Sequence, residues 1–218
     1  MRSLQSYGCS TAMSQLEYLV ALISIIVGLG LADLVRSIRE LVQPSRDVRW
    51  HWLPLLWAFM VFLVILQLWW SSFDALRAEP FGRALVFLPY LSMFLVLYLV
   101  CSFALPDPGW ESASSAPGET QLNLKAFYFS PLHRRWFFGA MIVLTILSQV
   151  ISVALNVTLN SASRSWVNQA PTLGINLGVA ILLYGLIASK RWWLHAVISL
   201  SIFGAILYTL AAELPSVG

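Results

Sequence analysis

The sequence predicts an all-α fold, a polytopic membrane bundle of six transmembrane helices forming one integral domain over residues 1–218. Three observations carry this expectation. Of 218 residues, 59% are hydrophobic and only 11% charged, where a soluble domain carries roughly 25% charged residues. Mean hydropathy is +0.76. The apolar residues also gather in uninterrupted runs of bilayer length instead of recurring as one stripe on a polar helix. Too few charges remain to clothe a water-facing shell, which excludes a soluble globular enzyme, and so much apolar surface excludes a disordered chain. Cys9 and Cys101 lie far apart in unlike contexts, which excludes a disulfide scaffold and a thiolate metal site.

The spans follow in order. The first covers about 16–35, with an amphipathic extension towards Val42 that Pro44 ends. The second, about 52–70, holds no charge, and Leu53 to Leu66 is apolar all round, which a soluble bundle does not require. The third covers about 85–105 and the fourth about 136–157. Pro54 and Pro89 fall in the first turns of their spans, where a missing amide costs little. The last two, about 173–189 and 194–210, have 17 residues each, the shortest length that still crosses. Only Lys190, Arg191, Trp192 and Trp193 separate them, so they form an antiparallel hairpin.

The longest connection, 106–135, opens with Pro106, Asp107, Pro108 and Gly109, which stop the third span. It reads as a flexible cytoplasmic loop, rich in Ser, Ala and Gly over Glu111 to Thr120. Leu122, Leu124, Phe127, Tyr128, Phe129 and Leu132 then restore apolar character before Arg134 and Arg135. That pattern predicts an interfacial segment lying on the inner leaflet, or a docking strip for a partner.

Lys and Arg set the orientation, because cationic loops stay in the cytoplasm. The first, third and fifth connections hold nine of the 13 cations: Arg36, Arg39, Arg46, Arg49, Lys125, Arg134, Arg135, Lys190 and Arg191. The tails and the other connections hold Arg2, Arg77, Arg83 and Arg164. Both termini are therefore expected outside. Trp50, Trp52, Trp136, Trp192 and Trp193 fall at the inner boundary and Trp69 and Trp70 at the outer one, the headgroup level that indoles prefer. The net charge of +3 then points to the lipid bilayer, with anionic headgroups at the basic inner face, and not to nucleic acid. Residues 1–15 offer no apolar core for a cleavable signal, and the true start is Met1 or Met13.

Within the fourth span Thr145, Ser148, Gln149, Ser152 and Asn156 sit at i, i+3, i+4, i+7 and i+11, one stripe over three turns. Lipid cannot satisfy hydroxyls and amides, so the stripe faces protein or water. It serves interhelical hydrogen bonding or lines a polar pathway, with Gln67, Asn176, Ser199, Ser201 and Tyr208 as partners on other spans. Asp33 is the one acid inside an apolar run. It stands in register with Arg36 and Glu40, at a depth from which a carboxylate reaches water, though an intramembrane acid is also a transport or catalytic candidate. Small residues predict close helix contacts: Ser24 and Gly28 on the first span, and Gly174, Gly178 and Gly185 on the fifth.

Reaction templates are scarce. The sequence holds no HExxH and no P-loop. His51, His133 and His195 all map to the inner boundary, weak candidates for a shared metal. His195 and Ser199 stand at i, i+4, a spacing common by chance. No catalytic residue, cofactor or resident metal is expected.

The stretches "MSQLEYLVALISIIVGLGLADLV", "LPDP" and "LKAFYFSPLHRRWFFGAMI" resemble an uncharacterised family of small bacterial multi-pass inner-membrane proteins. The resemblance covers most of the chain. It implies a bacterial inner membrane and carries no activity or site residue. For function the residues leave three classes: a channel or permease passing a small polar solute or ion along the stripe; a structural or assembly subunit with a partner membrane protein or a second copy; and an intramembrane enzyme using His195 or Asp33.

Overall fold

The computed structural model describes residues 15–43, 48–76, 84–106, 122–159 and 166–213. Among them run α1 (Gln15–Val42), β1 (Val48–Arg49), α2 (Trp52–Leu76), α3 (Ala84–Ala104), β2 (Leu122–Asn123), α4 (Leu124–Phe129), α5 (Pro131–Leu159), α6 (Trp166–Ala188) and α7 (Trp192–Glu213). The all-α class holds. Five helices contain stretches long and apolar enough to cross a bilayer: Glu17–Val42, Trp52–Ser72, Phe87–Ala104, Pro131–Ala154 and Trp192–Ala211. The sixth predicted span is the exception. The helix is present as α6, but its apolar part among the described residues is only Leu173–Ala188. Asn168, Gln169, Pro171 and Thr172 dilute its first turns, so by length and composition five helices qualify as spans and the sixth is left short of that length.

Local chemistry explains two further departures. The flexible connection predicted to reach residue 135 is already ordered from Leu122, as a strand and then α4. Asn123 caps α4, its Oδ1 accepting from the Lys125 and Ala126 amides at 3.1 and 3.2 Å, the usual work of an N-cap amide. The helix stops at Phe129 because Pro131 holds Ser130 extended (φ −63°, ψ 138°). Ser130 then caps α5, its Oγ accepting from the His133 amide at 3.2 Å, with Pro131 pre-set for the first helical position. The fourth span thus starts five residues before Trp136. Nor does α4 simply lie on a leaflet, since Leu124, Phe127 and Tyr128 are buried against the bundle.

The helices pack as a closed circuit. α3 leans on α1, α2 and α5; α5 carries α6; α6 meets α7; and α7 returns to α2, while α1 sits outside against α2 and α3. Gly30 is packed closely against α3, where an added Cβ would lie 3.2 Å from Cys101 Sγ. β1 pairs in parallel with β2, Val48 opposite Leu122 and Arg49 opposite Asn123. The first and third connections therefore share one end of the bundle. Arg134 at the head of α5 bonds the Ser189 carbonyl after α6, which brings the α6–α7 turn to that same end. Of the cations that set the expected orientation, Arg2, Arg46, Arg77, Arg83 and Arg164 lie outside the described residues, as do Cys9, Pro44, both proposed starts and 107–121 of the long connection.

Candidate functional site

The basic end holds a cluster of buried polar groups. Trp57 of α2, Tyr128 of α4 and His195 and Ser199 of α7 are each at most 1% exposed. The Trp57 indole N–H is shared between Ser199 Oγ at 2.9 Å and the Tyr128 hydroxyl oxygen at 3.1 Å. Tyr128 in turn lies 3.1 Å from His195 Nδ1, and His195 Nε2 lies 3.0 Å from the Ser189 carbonyl. A carbonyl only accepts, so Nε2 carries the imidazole proton and Nδ1 accepts from the tyrosine hydroxyl. One tautomer satisfies every contact. Burial holds the Tyr128 hydroxyl well above its ordinary pKa, against the opposing pull of Ser199, Trp57 and Arg134, so its proton stays available to the histidine.

Two donors converge on the Ser189 carbonyl, from His195 Nε2 and from Arg134 Nη1. The last carbonyls of a helix have no partner within it, and the helix dipole is negative there. A buried guanidinium at the end of α6 answers both needs. The Arg134 Nε has no hydrogen-bond partner among the described residues. Aromatic rings enclose the cluster. Trp57 meets Phe137 and Phe138 edge-on at 5.6 and 5.1 Å, His195 meets Phe129 at 5.0 Å, and His133 stacks on Phe137 at 5.3 Å. Both nitrogens of His195 are engaged, so it does not serve Ser199 as a base. Chemically the arrangement is a lock joining α2, α4 and α7 to the end of α6.

The polar stripe lies elsewhere, along α5. Thr145 donates to the Met141 carbonyl and Ser148 to that of Thr145, both at 2.9 Å. Gln149 accepts from the Asn176 amide across the α5–α6 contact. Ser152 is exposed, and only the backbone of Asn156 is described. Beside this amide pair runs a groove of about 380 Å³, lined by Thr145, Gln149, Gly174, Asn176 and Leu177 among others and open to the outside. Gln67 of α2 donates to Thr209 of α7 at 3.5 Å.

The remaining candidates scatter. Asp33 is half-buried, and beyond it Arg36 pairs with Glu40 at 3.2 Å on an exposed face. Ser24 is half-buried and Gly28 exposed on α1, Gly28 standing about half a turn from the Gly30 contact. A Cβ added at Gly28, Gly174, Gly178 or Gly185 would meet nothing within 4 Å. His51 caps α2, accepting from the Leu53 amide at 3.4 Å, so the three histidines serve three separate local roles. No group of three metal-ligating side chains occurs among the described residues.

Sequence reasoning reached His195 and Ser199 as a pair but missed Trp57, Tyr128, Arg134 and Ser189. The one available signal was Arg134 amid aromatics at a helix start. What these features define is an all-helical protein with five helices able to cross a membrane. Comparison with protein-family models, with curated proteins and with solved structures finds no match.

Proposed function

We propose that this chain is an integral membrane protein acting as a non-catalytic assembly subunit, the glycine side of α6 receiving a transmembrane helix of a partner protein. One observation carries the reading. Gly174, Gly178 and Gly185 share a side of α6 yet leave open space there, and Gly174 also borders a groove lined by the Gln149–Asn176 pair. Small residues let backbones approach closely in lipid, and these are unused inside the chain. Each amide also keeps hydrogen-bonding groups beyond that single bond, and lipid satisfies none of them. The nine cations against four support a basic end facing the cytoplasm and termini outside. The resemblance noted above supports a bacterial inner membrane.

The open glycines give a clean test. A Cβ added at Gly178 meets no atom within 4 Å, so with Gly178→Leu the isolated protein should keep its thermal stability within about 0.5 kcal/mol, while a co-purifying membrane partner is lost. A wild-type chain that purifies from mild detergent as a lone monomer overturns the reading, and a homodimer replaces the partner by a second copy. Passage of a small polar solute or ion along α5 is the second reading; Thr145, Gln149 and Asn176 line one groove, but the surface that groove exposes is nearly all apolar. It requires flux in liposomes that Gln149→Leu and Ser152→Ala abolish.

A further inference from the structure

A second cleft, of about 570 Å³, opens at the basic end between α4 and the α6–α7 turn, lined by Lys125, Lys190, Arg191, Trp192 and Trp193. We infer that this cleft binds the phosphate of an anionic phospholipid headgroup. Three cations from two distant stretches of sequence face one space, and no carboxylate is among the described residues that line it. Like charges brought together repel, and an anion between them reverses the sign. Depth selects the kind of anion. Lys190 and Arg191 stand between the apolar stretch that ends at Ala188 and the one that starts at Trp192, which is headgroup level. Trp192 and Trp193 are 57% and 51% exposed, as indoles are where headgroups meet acyl chains.

The walls are fixed in advance, which spares a ligand the cost of ordering them. Asn123 sets the start of α4 and so the Lys125 backbone. The turn is held by the Arg191 amide on Ser189 Oγ at 3.1 Å and by the Leu194 amide on the Arg191 carbonyl at 3.2 Å. The Tyr128–His195 bond ties the two walls together. The buried lock thereby acquires a purpose: it holds Lys125 opposite Lys190 and Arg191. The volume exceeds what a bare phosphate fills and falls within the range of small-molecule sites, which favours a headgroup with its glycerol over free phosphate.

The inference rests on the membrane reading and is independent of the assembly role. The full chain in neutral detergent is titrated with dioctanoyl phosphatidylglycerol, dioctanoyl phosphatidylcholine or inorganic phosphate, with binding followed by thermal shift and native mass spectrometry. Phosphatidylglycerol should bind, phosphatidylcholine at least tenfold more weakly, and inorganic phosphate should not compete at millimolar concentration. Lys190→Gln/Arg191→Gln should weaken phosphatidylglycerol about 25-fold, at about fivefold per cation near an anionic surface. Arg36→Gln/Arg39→Gln, which removes the same charge from α1, should leave it within twofold. Lys125→Gln, at an exposed side chain, supplies a variant whose folding is not at stake and should lose about fivefold. Equal losses in both doubles, equal binding of the two lipids, or competition by inorganic phosphate would each overturn the site. A chain monodisperse in detergent-free buffer would instead overturn the membrane reading beneath it.

Discussion

The two halves of the α5–α6–α7 face differ in what holds them. At the basic end, α2, α4, α5 and α7 all send side chains into one buried cluster, and the carbonyl after α6 completes it. Towards the other end, α6 has no buried residue among those described before Leu183, and α7 has none after Ile202. Both halves are rich in Leu and Ile. In lipid, apolar contact between helices competes with equally apolar acyl chains, so it confers little preference. Polar bonds and close shape fit decide instead. The difference teaches that this face is fastened at one end by Trp, Tyr, His and Arg and left open at the other, while on α2 and α3 the far end keeps a buried polar pair of its own, Ser72 with Tyr90.

Removing the fastener should give the largest effect. Trp57→Ala deletes a fully buried indole that touches Phe137 and Phe138 and should cost about 3–5 kcal/mol, read by thermal unfolding in detergent. Trp57→Phe, which keeps much of the ring but not the N–H, should cost less. Equal losses would mean that volume alone matters. Tyr128→Phe comes next. It strands His195 Nδ1 without its donor, and an unsatisfied buried acceptor costs about 1–3 kcal/mol. No loss would show that the hydroxyl is replaceable by water and the cluster not closed.

How much of this contrast was readable in advance depends on the range of the interactions. The helices were legible because bilayer length imposes a pattern on neighbouring residues, and five of the six expected stretches survive as apolar helices of spanning length. α6 lies where expected, yet the polar residues at its start keep its apolar part short. The Ser130–Pro131 cap that begins α5 is written in two adjacent letters, but it lies ahead of Trp136, where the continuous apolar run begins. The lock was not legible. Trp57, Tyr128 and Ser199 are separated by 71 and 142 positions in their bonds, and nothing local tells an indole facing a tyrosine from one facing lipid. Gly28 and Gly30 of α1 differ by two positions, hence by nearly opposite faces, and only the neighbouring helix shows which one Cys101 meets.

The open half should respond weakly. Asn176→Leu removes the amide pair with Gln149 on the groove wall. Hydrogen bonds between membrane helices average about 0.6 kcal/mol, so unfolding of the isolated chain should shift by no more than that. A loss as large as that of Tyr128→Phe would erase the distinction between the two halves.

The smallest effect lies at the rim of the fastened end and depends on pH. His51 caps α2 through Nδ1, which accepts the Leu53 amide, and this is possible only while the ring is neutral there. Burial, and then the nearby Lys125 charge, lower its pKa from the usual 6.5. A depressed value means that the fold prefers the neutral ring. The cap's contribution is therefore complete above pH 6.5 and is lost as pH falls through the lower folded value. The bond is long, 3.4 Å, so the size is that of a weak N-cap, about 0.5 kcal/mol. His51→Asn supplies a cap that does not titrate, so its melting temperature should fall less than the wild type's between pH 7.5 and 4.5. The buried histidines titrate equally in both proteins and drop out of the difference. Parallel curves would show that Leu53 finds another acceptor and that the start of α2 belongs, energetically, with the loose half of the molecule.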